Sequence, residues 1–295
     1  MDERNWLTAR FEQHRSHLRG VAYRMLGSVG DADDALQEAW LRVHDQDPEG
    51  IENVQAWLTT VVGRVCLNML RSRRRYETSW EVHVPDPLVA RVGVTDPGQE
   101  ALVADSVGLA LQVVLDSLNP AERLAFVLHD VFGVPFAEIA RVLDRSEAAT
   151  QQLASRARRR VRGMPEPDAD LGRQRNVVDA FFAASRDGNF EALLEILGPE
   201  AELRIDGGVL RRQESLVLRG AGAVAAHTAT YSKWYPFARP ALVNGAAGAV
   251  VATGGNVLAV MAFTVTNGQI VRIDVLRDPD RLGRLSPWRS EQGSR

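Results

Sequence analysis

Two clusters of arginine carry the strongest chemical signal in this 295-residue chain. Arg71, Arg73, Arg74 and Arg75 close one expected helix, and Arg156, Arg158, Arg159, Arg160 and Arg162 close another. Guanidinium groups at this density attract phosphate backbones. The plainer reading is a solvated helix end, where cations also suit the helix dipole. The second cluster has neighbours that favour the first reading. Phe136, Ile139, Ala140 and Leu143 give a short helix one apolar face, Asp144-Arg145-Ser146 makes a turn with Ser146 as N-cap, and a second helix runs from Glu147 to about Arg162. Thr150, Leu153, Ala157 and Val161 form its inward stripe, while Glu147, Gln151, Gln152, Ser155, Arg158 and Arg159 point outward. Short polar and amide side chains near a helix N-terminus reach base edges, and arginine farther along anchors phosphates. This is the chemistry of a DNA-reading helix-turn-helix, although other αα-hairpins share the spacing.

Three further sets of residues could do chemistry. Asp34, Gln37, Glu38 and Leu41 are three or four apart and share a helical face, suited to a basic helical partner or simply to solvent. Asn53, Trp57, Arg64 and Asn68 follow one another along a loop and helix that end in the first arginine cluster. Capturing an unstacked base takes a pocket and hydrogen-bonding groups, and holding a separated strand takes cations and stacking surfaces. Trp57 fits core packing as well as base contact. Near the C-terminus, Asp206, His227, Tyr231, Trp234 and Asp274 are candidates for a pocket, but nothing in their spacing brings them together, and no acid–base set stands out.

Composition narrows the classes. The net charge of −3 argues against a protein that coats nucleic acid. Cys66 is the sole cysteine, so no internal disulfide and no cysteine-rich zinc site can form. No metal or cofactor is expected. Residues 1 to 20 carry Asp2, Glu3 and Arg4 and no apolar run, so no signal peptide is expected and the chain reads as cytoplasmic. The stretch Ala246 to Val265 approaches membrane-spanning length, but Gly254, Gly255 and Asn256 break it into two strands and a turn.

The elements that position these residues fall into three blocks. Helices are expected from 7 to 27, from Gly30 to about His44 and from Val54 to Arg75, making a first domain over 5–76. Residues 77–100 hold Pro85, Pro87 and Pro97, show no periodicity and read as a linker. A second helical domain covers 101–163, with Asn119-Pro120 and Glu122 forming a helix start. A second linker, 164–170, leads to an α+β domain over 171–285 with a mainly antiparallel sheet, followed by a tail over 286–295. In that domain Ala201, Leu203 and Ile205 alternate with polar residues, and Asn267-Gly268 joins two strands as a type I′ hairpin.

These residues resemble a known family. Pro135 to Ala140 through Ser155 to Arg159 resembles region 4 of extracytoplasmic-function (ECF) sigma factors, which reads the −35 promoter element. Asp31 to Arg42 resembles the part of region 2 that docks on the clamp of RNA polymerase. Ala56-Trp57-Leu58 through Leu70 to Arg74 resembles the part that melts and holds the −10 element. Residues 171–285 resemble, more loosely, the SnoaL-like domains of the NTF2-like superfamily, a curved sheet wrapped by helices around a cavity. A sigma-J-like subgroup carries such a domain. Val84-Pro85-Asp86-Pro87-Leu88 is similar to its Leu-Pro-Glu-Pro-Leu signature, and Asp278-Pro279-Asp280-Arg281-Leu282 to its Asn-Pro-Asp-Lys-Leu signature. Asp206-Gly207-Gly208 keeps only part of its Asp-Gly-Gly-Gly-Lys motif, because Val209 and Leu210 follow.

The resemblance implies two all-α sigma domains followed by a SnoaL-like α+β domain. It implies core RNA polymerase and promoter DNA as partners, with no membrane association. Polymerase contact would fall to Asp34, Gln37, Glu38 and Leu41. Contact with the −10 element would fall to Asn53, Trp57, Arg64, Asn68, Arg71 and Arg74. Contact with the −35 element would fall to Ser146, Glu147, Gln151, Gln152, Ser155, Arg156, Arg158 and Arg159. Interdomain regulation would fall to Pro85, Asp86, Pro87, Asp206, Asp278, Pro279, Asp280 and Leu282. A small-molecule ligand of the C-terminal domain is a further candidate partner. The competing readings are a stand-alone helix-turn-helix regulator with a ligand-sensing domain and a SnoaL-type enzyme with a DNA-binding leader.

Overall fold

The computed structural model describes residues 3–44, 51, 53–76, 82–92, 109–163 and 167–285. The sequence readings for residues 93–108 and 286–295 lie outside that set, as do the side chains of Arg73, Arg74 and Arg75. The described residues form two compact units. The first holds 3–76 and 111–163, and the second holds 82–92, 109–110 and 167–285.

In the first unit, α1 (Glu3–Leu26) ends where Gly27 turns left-handed at φ 71°. Helix α2 (Val29–Val43) begins at Ser28, whose hydroxyl accepts the Asp31 N–H, so it starts one residue before the glycine expected to open it. Ala32, Ala35, Leu36, Ala39 and Val43 make its buried face. Helix α3 (Val54–Tyr76) completes the three-helix block and buries Cys66, and burial pushes that thiol's pKa up. The second block runs α4 (Leu109–Ser117), α5 (Pro120–Phe126), a π-helical turn over Val127–Val131, α6 (Phe136–Leu143) and α7 (Glu147–Arg162).

The two helical blocks pack directly on each other. A β-carbon at Gly63 on α3 would press on the side chains of Leu124 and Leu128, both fully buried. Arg123 donates to the Met25 carbonyl at 2.8 Å and Gln112 to the Arg24 carbonyl at 3.1 Å. The carbonyls at the end of α1 thus find partners in the other block. Phe132 lies between the Arg24 guanidinium at 5.2 Å and the His17 ring at 5.0 Å.

The second unit is a seven-stranded sheet flanked by helices. Its strands are β1 (Val89–Arg91), β2 (Leu197–Asp206), β3 (Leu216–Arg219), β4 (Ala238–Val243), β5 (Ala246–Thr253), β6 (Asn256–Thr266) and β7 (Gln269–Leu276). Their order is β1-β4-β5-β6-β7-β2-β3, antiparallel throughout except for β2 beside β7. Ala246 to Val265 is two strands and a turn, and Asn267 and Gly268 both have positive φ, as a type I′ hairpin requires. The Asp168 carboxylate accepts the N–H groups of both turn residues, so the second linker clasps the hairpin.

Strand alternation gives the sheet two different faces. Over one lie α8 (Leu171–Asp187), α9 (Phe190–Ile196) and α10 (Ala221–Ala229), with Phe181, Phe182, Tyr235 and Phe263 forming a ring cluster. The other face buries Val84 and Val89 from the first linker and Leu282 from α11 (Pro279–Leu282) against Val243, Val260 and Leu276. This corrects the reading of 77–100 as a linker throughout. Val89–Arg91 pairs with β4 as an edge strand, and three residues are too few to show a period. No described helix is long and apolar enough to cross a membrane.

Candidate functional sites

The helix-turn-helix is built from local signals. Asp144, left-handed at φ 52°, ends α6, and the Ser146 hydroxyl accepts the Ala149 N–H to start α7. Thr150, Leu153, Ala154 and Ala157 are buried, which turns Glu147, Gln151, Gln152, Ser155 and Arg159 outward. Two of the expected phosphate contacts have partners within the domain. Arg156 donates to Glu122 at 2.8 Å, with Arg160 at 3.3 Å, and Arg158 donates to Asp130 at 2.5 Å. Glu122 is buried; burial pushes its carboxyl up, but bonds from Arg156 and the Asn119 backbone, together with the Arg160 charge, more than offset this and hold it below the usual carboxylate range. These pairs fix α7 against α5 and the π-helical turn that follows it, and Arg159 keeps an exposed guanidinium.

On the first block, Asp34, Gln37, Glu38 and Leu41 are all exposed along one face of α2. Leu41 is 61% exposed, an apolar side chain among acidic and amide neighbours. Glu38 is paired with Arg42 on the same helix at 2.5 Å. On α3, Arg64, Asn68 and Arg71 are exposed with helical spacing, and Trp57 lies half-buried seven residues before Arg64. Asn53 caps α3, its side-chain oxygen accepting the Ala56 N–H at 3.0 Å.

The three short motifs singled out for regulation converge on one carboxylate. Asp206, 3% exposed at the end of β2, accepts the Val84 N–H and the Arg281 Nη1 at 2.9 Å each through Oδ2, and the Gly208 N–H at 2.9 Å through Oδ1. Arg281 also donates to Asp86 and to the Val84 carbonyl, both at 2.5 Å. Pro85 and Pro87 are buried beside them. Asp278 caps α11, Pro279 opens it and Leu282 is buried beneath it, whereas the Asp280 side chain is exposed. The kept glycines have a steric reason. A β-carbon at Gly208, where φ is 70°, would fall on the Asp278 carboxylate, and one at Gly207 on the Arg211 carbonyl. Val209 and Leu210, where the motif departs, are exposed.

Sequence reasoning missed three members of this clamp. Arg281 joins all three motifs, Arg204 donates to the His83 carbonyl at 2.6 Å, and Asn244 exchanges two bonds with the Leu88 backbone. Asn244-Gly245 has two positive φ values, the same hairpin signature as Asn267-Gly268, so the dipeptide was a readable signal.

The five pocket candidates separate. His227, Tyr231 and Trp234 line a cavity of about 270 Å³ on the helix-covered face of the sheet. Asp206 and Asp274 do not, because Leu203, Ile205, Ile273 and Val275 take that face and alternation sends their neighbours to the other. Asp274 is buried 3.8 Å from Arg204; burial, offset in part by Arg204 and Arg272, pushes its pKa up to about 6.

Comparison with known proteins matches residues 10–76 to Sigma-70 region 2 and residues 108–161 to Sigma-70 region 4. The chain is 38% identical over 289 residues to the ECF RNA polymerase sigma factor SigJ of Mycobacterium tuberculosis, covering 92% of this chain and 91% of that one. It is 32% identical over 298 residues to the probable ECF RNA polymerase sigma factor SigI of the same species, covering 99% of each. The crystal structure of the M. tuberculosis SigJ superposes with a TM-score of 0.74 at 34% identity, covering 94% of this chain and 98% of that one. With both sigma regions in order and likeness along nearly the whole length, the chain belongs to the ECF RNA polymerase sigma factors, the subunits that direct promoter-specific transcription initiation.

Proposed function

We propose that α2 docks on core RNA polymerase through Asp34, Gln37, Glu38 and Leu41, and that α3 holds the opened −10 element through Trp57, Arg64, Asn68, Arg71 and Arg74, with Asn53 at its capped end. Helix α7 reads the −35 element through Ser146, Glu147, Gln151, Gln152 and Ser155, while Arg159 meets phosphate directly and Arg156 and Arg158 do so on exchanging Glu122 and Asp130 for it. The exposed polar N-terminal half of a well-capped α7 carries this reading, because it is the part of a recognition helix that reaches base edges. The protein acts in the cytoplasm as a binding subunit and not as an enzyme. Family membership leaves the stand-alone regulator without support.

The α+β domain regulates the sigma regions by holding the segment between them. Residues 82–92 lie along its sheet, and Asp206, Arg281 and Asn244 grip them. A connector held in this way has less reach than a loose one. Run-off transcription with core polymerase and candidate promoters tests both parts. Promoter-dependent transcripts that need this chain support the sigma assignment. A changed yield on removing residues 171–295, at matched stability, supports regulation, and an unchanged yield makes the domain a passenger.

A further inference from the structure

The helix-covered face of the C-terminal sheet borders the partly open 270 Å³ cavity, which the sigma reading leaves without a role. At the volume a water molecule occupies in the liquid, it accommodates on the order of ten non-hydrogen atoms. Its body is apolar, walled by Phe181, Leu203, Ile205, Met261, Ile273 and Val275. Arg211 and Arg277 also line it, and none of the described lining residues is acidic. The Arg277 guanidinium lies 5.5 Å from the centre of the Tyr231 ring, which is 5.0 Å from the His227 ring. His227 Nε2 is buried and makes no hydrogen bond with the described residues. Burial, and then the Arg277 charge, hold that imidazole below its usual range, so it is neutral at pH 7. Apolar walls with a few convergent polar groups are the mark of a small-molecule site, and paired guanidinium groups select an anion.

We propose that this cavity binds a small amphipathic carboxylate, its apolar body against the sheet and its head between Arg277, Arg211 and His227 Nε2, and that occupancy is passed to the clamp on residues 82–92. The second half rests on the regulatory reading given above. Arg277 is the physical link. Its side chain lines the cavity, and its backbone N–H donates to the Asp206 carbonyl at 2.7 Å. Asp206 in turn holds Val84 and Arg281. A head group that draws Arg277 from Glu214, now 2.9 Å away, acts one backbone hydrogen bond from the residue that holds the clamp.

Calorimetric titration of the full chain with octanoate and hydrocinnamate, against octanol and hydrocinnamyl alcohol, tests the site. The acids should bind about tenfold or more tightly than the matched alcohols. Arg211→Met with Arg277→Met should erase that preference, while Arg277→Lys should retain part of it. Should the double variant fail to fold, Arg211→Met alone still has to weaken the acids and spare the alcohols. Equal affinity for acid and alcohol, no binding of either, or an acid preference that survives the arginine changes would overturn the site. Hydrogen exchange at the Val84 amide, with and without octanoate, tests the link. A changed rate supports it, and acid-selective binding with an unchanged rate overturns the coupling while leaving the site.

Discussion

Asp206→Asn weakens the clamp with the least change of shape. The native carboxylate is buried and accepts three bonds, from Val84 N–H, Arg281 and Gly208 N–H. Asparagine keeps one acceptor oxygen, removes the charge facing Arg281 and places an amide N–H where a donor already points. Bonds to charged groups contribute about 1.5–3 kcal/mol each, and breaking a buried pair costs roughly 3–5 kcal/mol. Arg281 keeps Asp86 and the Val84 carbonyl, so the low end applies, about 3 kcal/mol. That raises the released fraction of the segment by roughly a hundredfold. Hydrogen exchange on the full chain reads it directly. The amides of Val84 and Leu88, which donate to Asp206 and Asn244, should exchange roughly a hundredfold faster, and those of β6 and β7 should keep their rates, as for a local opening. Unchanged rates at the segment would refute the reasoning. So would rates that rise together with β6 and β7, since the loss would then belong to the whole domain.

Other outcomes follow from the same structure. Asp34→Arg combined with Glu38→Arg should abolish co-purification with core polymerase while leaving the melting temperature unchanged, because both side chains are exposed. Arg159→Ala should weaken binding to all promoters evenly and lower the salt slope by about one, whereas Gln151→Ala or Gln152→Ala should change −35 preference at constant slope; competition binding across a salt series separates the two. Asp274 has a raised folded pKa, so its protonated form is favoured by folding, and its contribution to stability is lost as pH rises from about 4 to about 6. Asp274→Asn should therefore be more stable relative to wild type at pH 7 than at pH 4, by up to roughly 3 kcal/mol, as read by denaturant unfolding at the two values.

What could be read in advance was local. The turn and caps of α6 and α7 depend on residues within four positions of one another, and Ser146, Asp144 and the bounds of α7 stand where the spacing put them. The Asn267-Gly268 hairpin is local in the same way. What the sequence left hidden depends on long separations. Arg156 meets Glu122 across 34 residues and Arg281 meets Asp86 across 195, and no periodicity reports such pairs. The placement of Asp206 falls between these cases. Leu203 and Ile205 had been read as one face of a strand, so parity already sent Asp206 to the other, away from the cavity.

The contact of Gly63 with Leu124 and Leu128 has a consequence set by the length of DNA. The −35 and −10 elements are separate stretches of duplex, and each base-pair step between them adds about 3.4 Å. Here α3, which would hold one element, packs at Gly63 against leucine side chains of the block that would read the other. If α3 and α7 take the roles proposed for them, this packing holds the readers of two separated elements together, and the spacing of a promoter would act as a ruler against it. Parting α3 from α5 would uncover two fully buried leucines that then need a new apolar neighbour. On the proposed roles of α3 and α7, a partner that offers these leucines a new apolar neighbour would favour the opened arrangement.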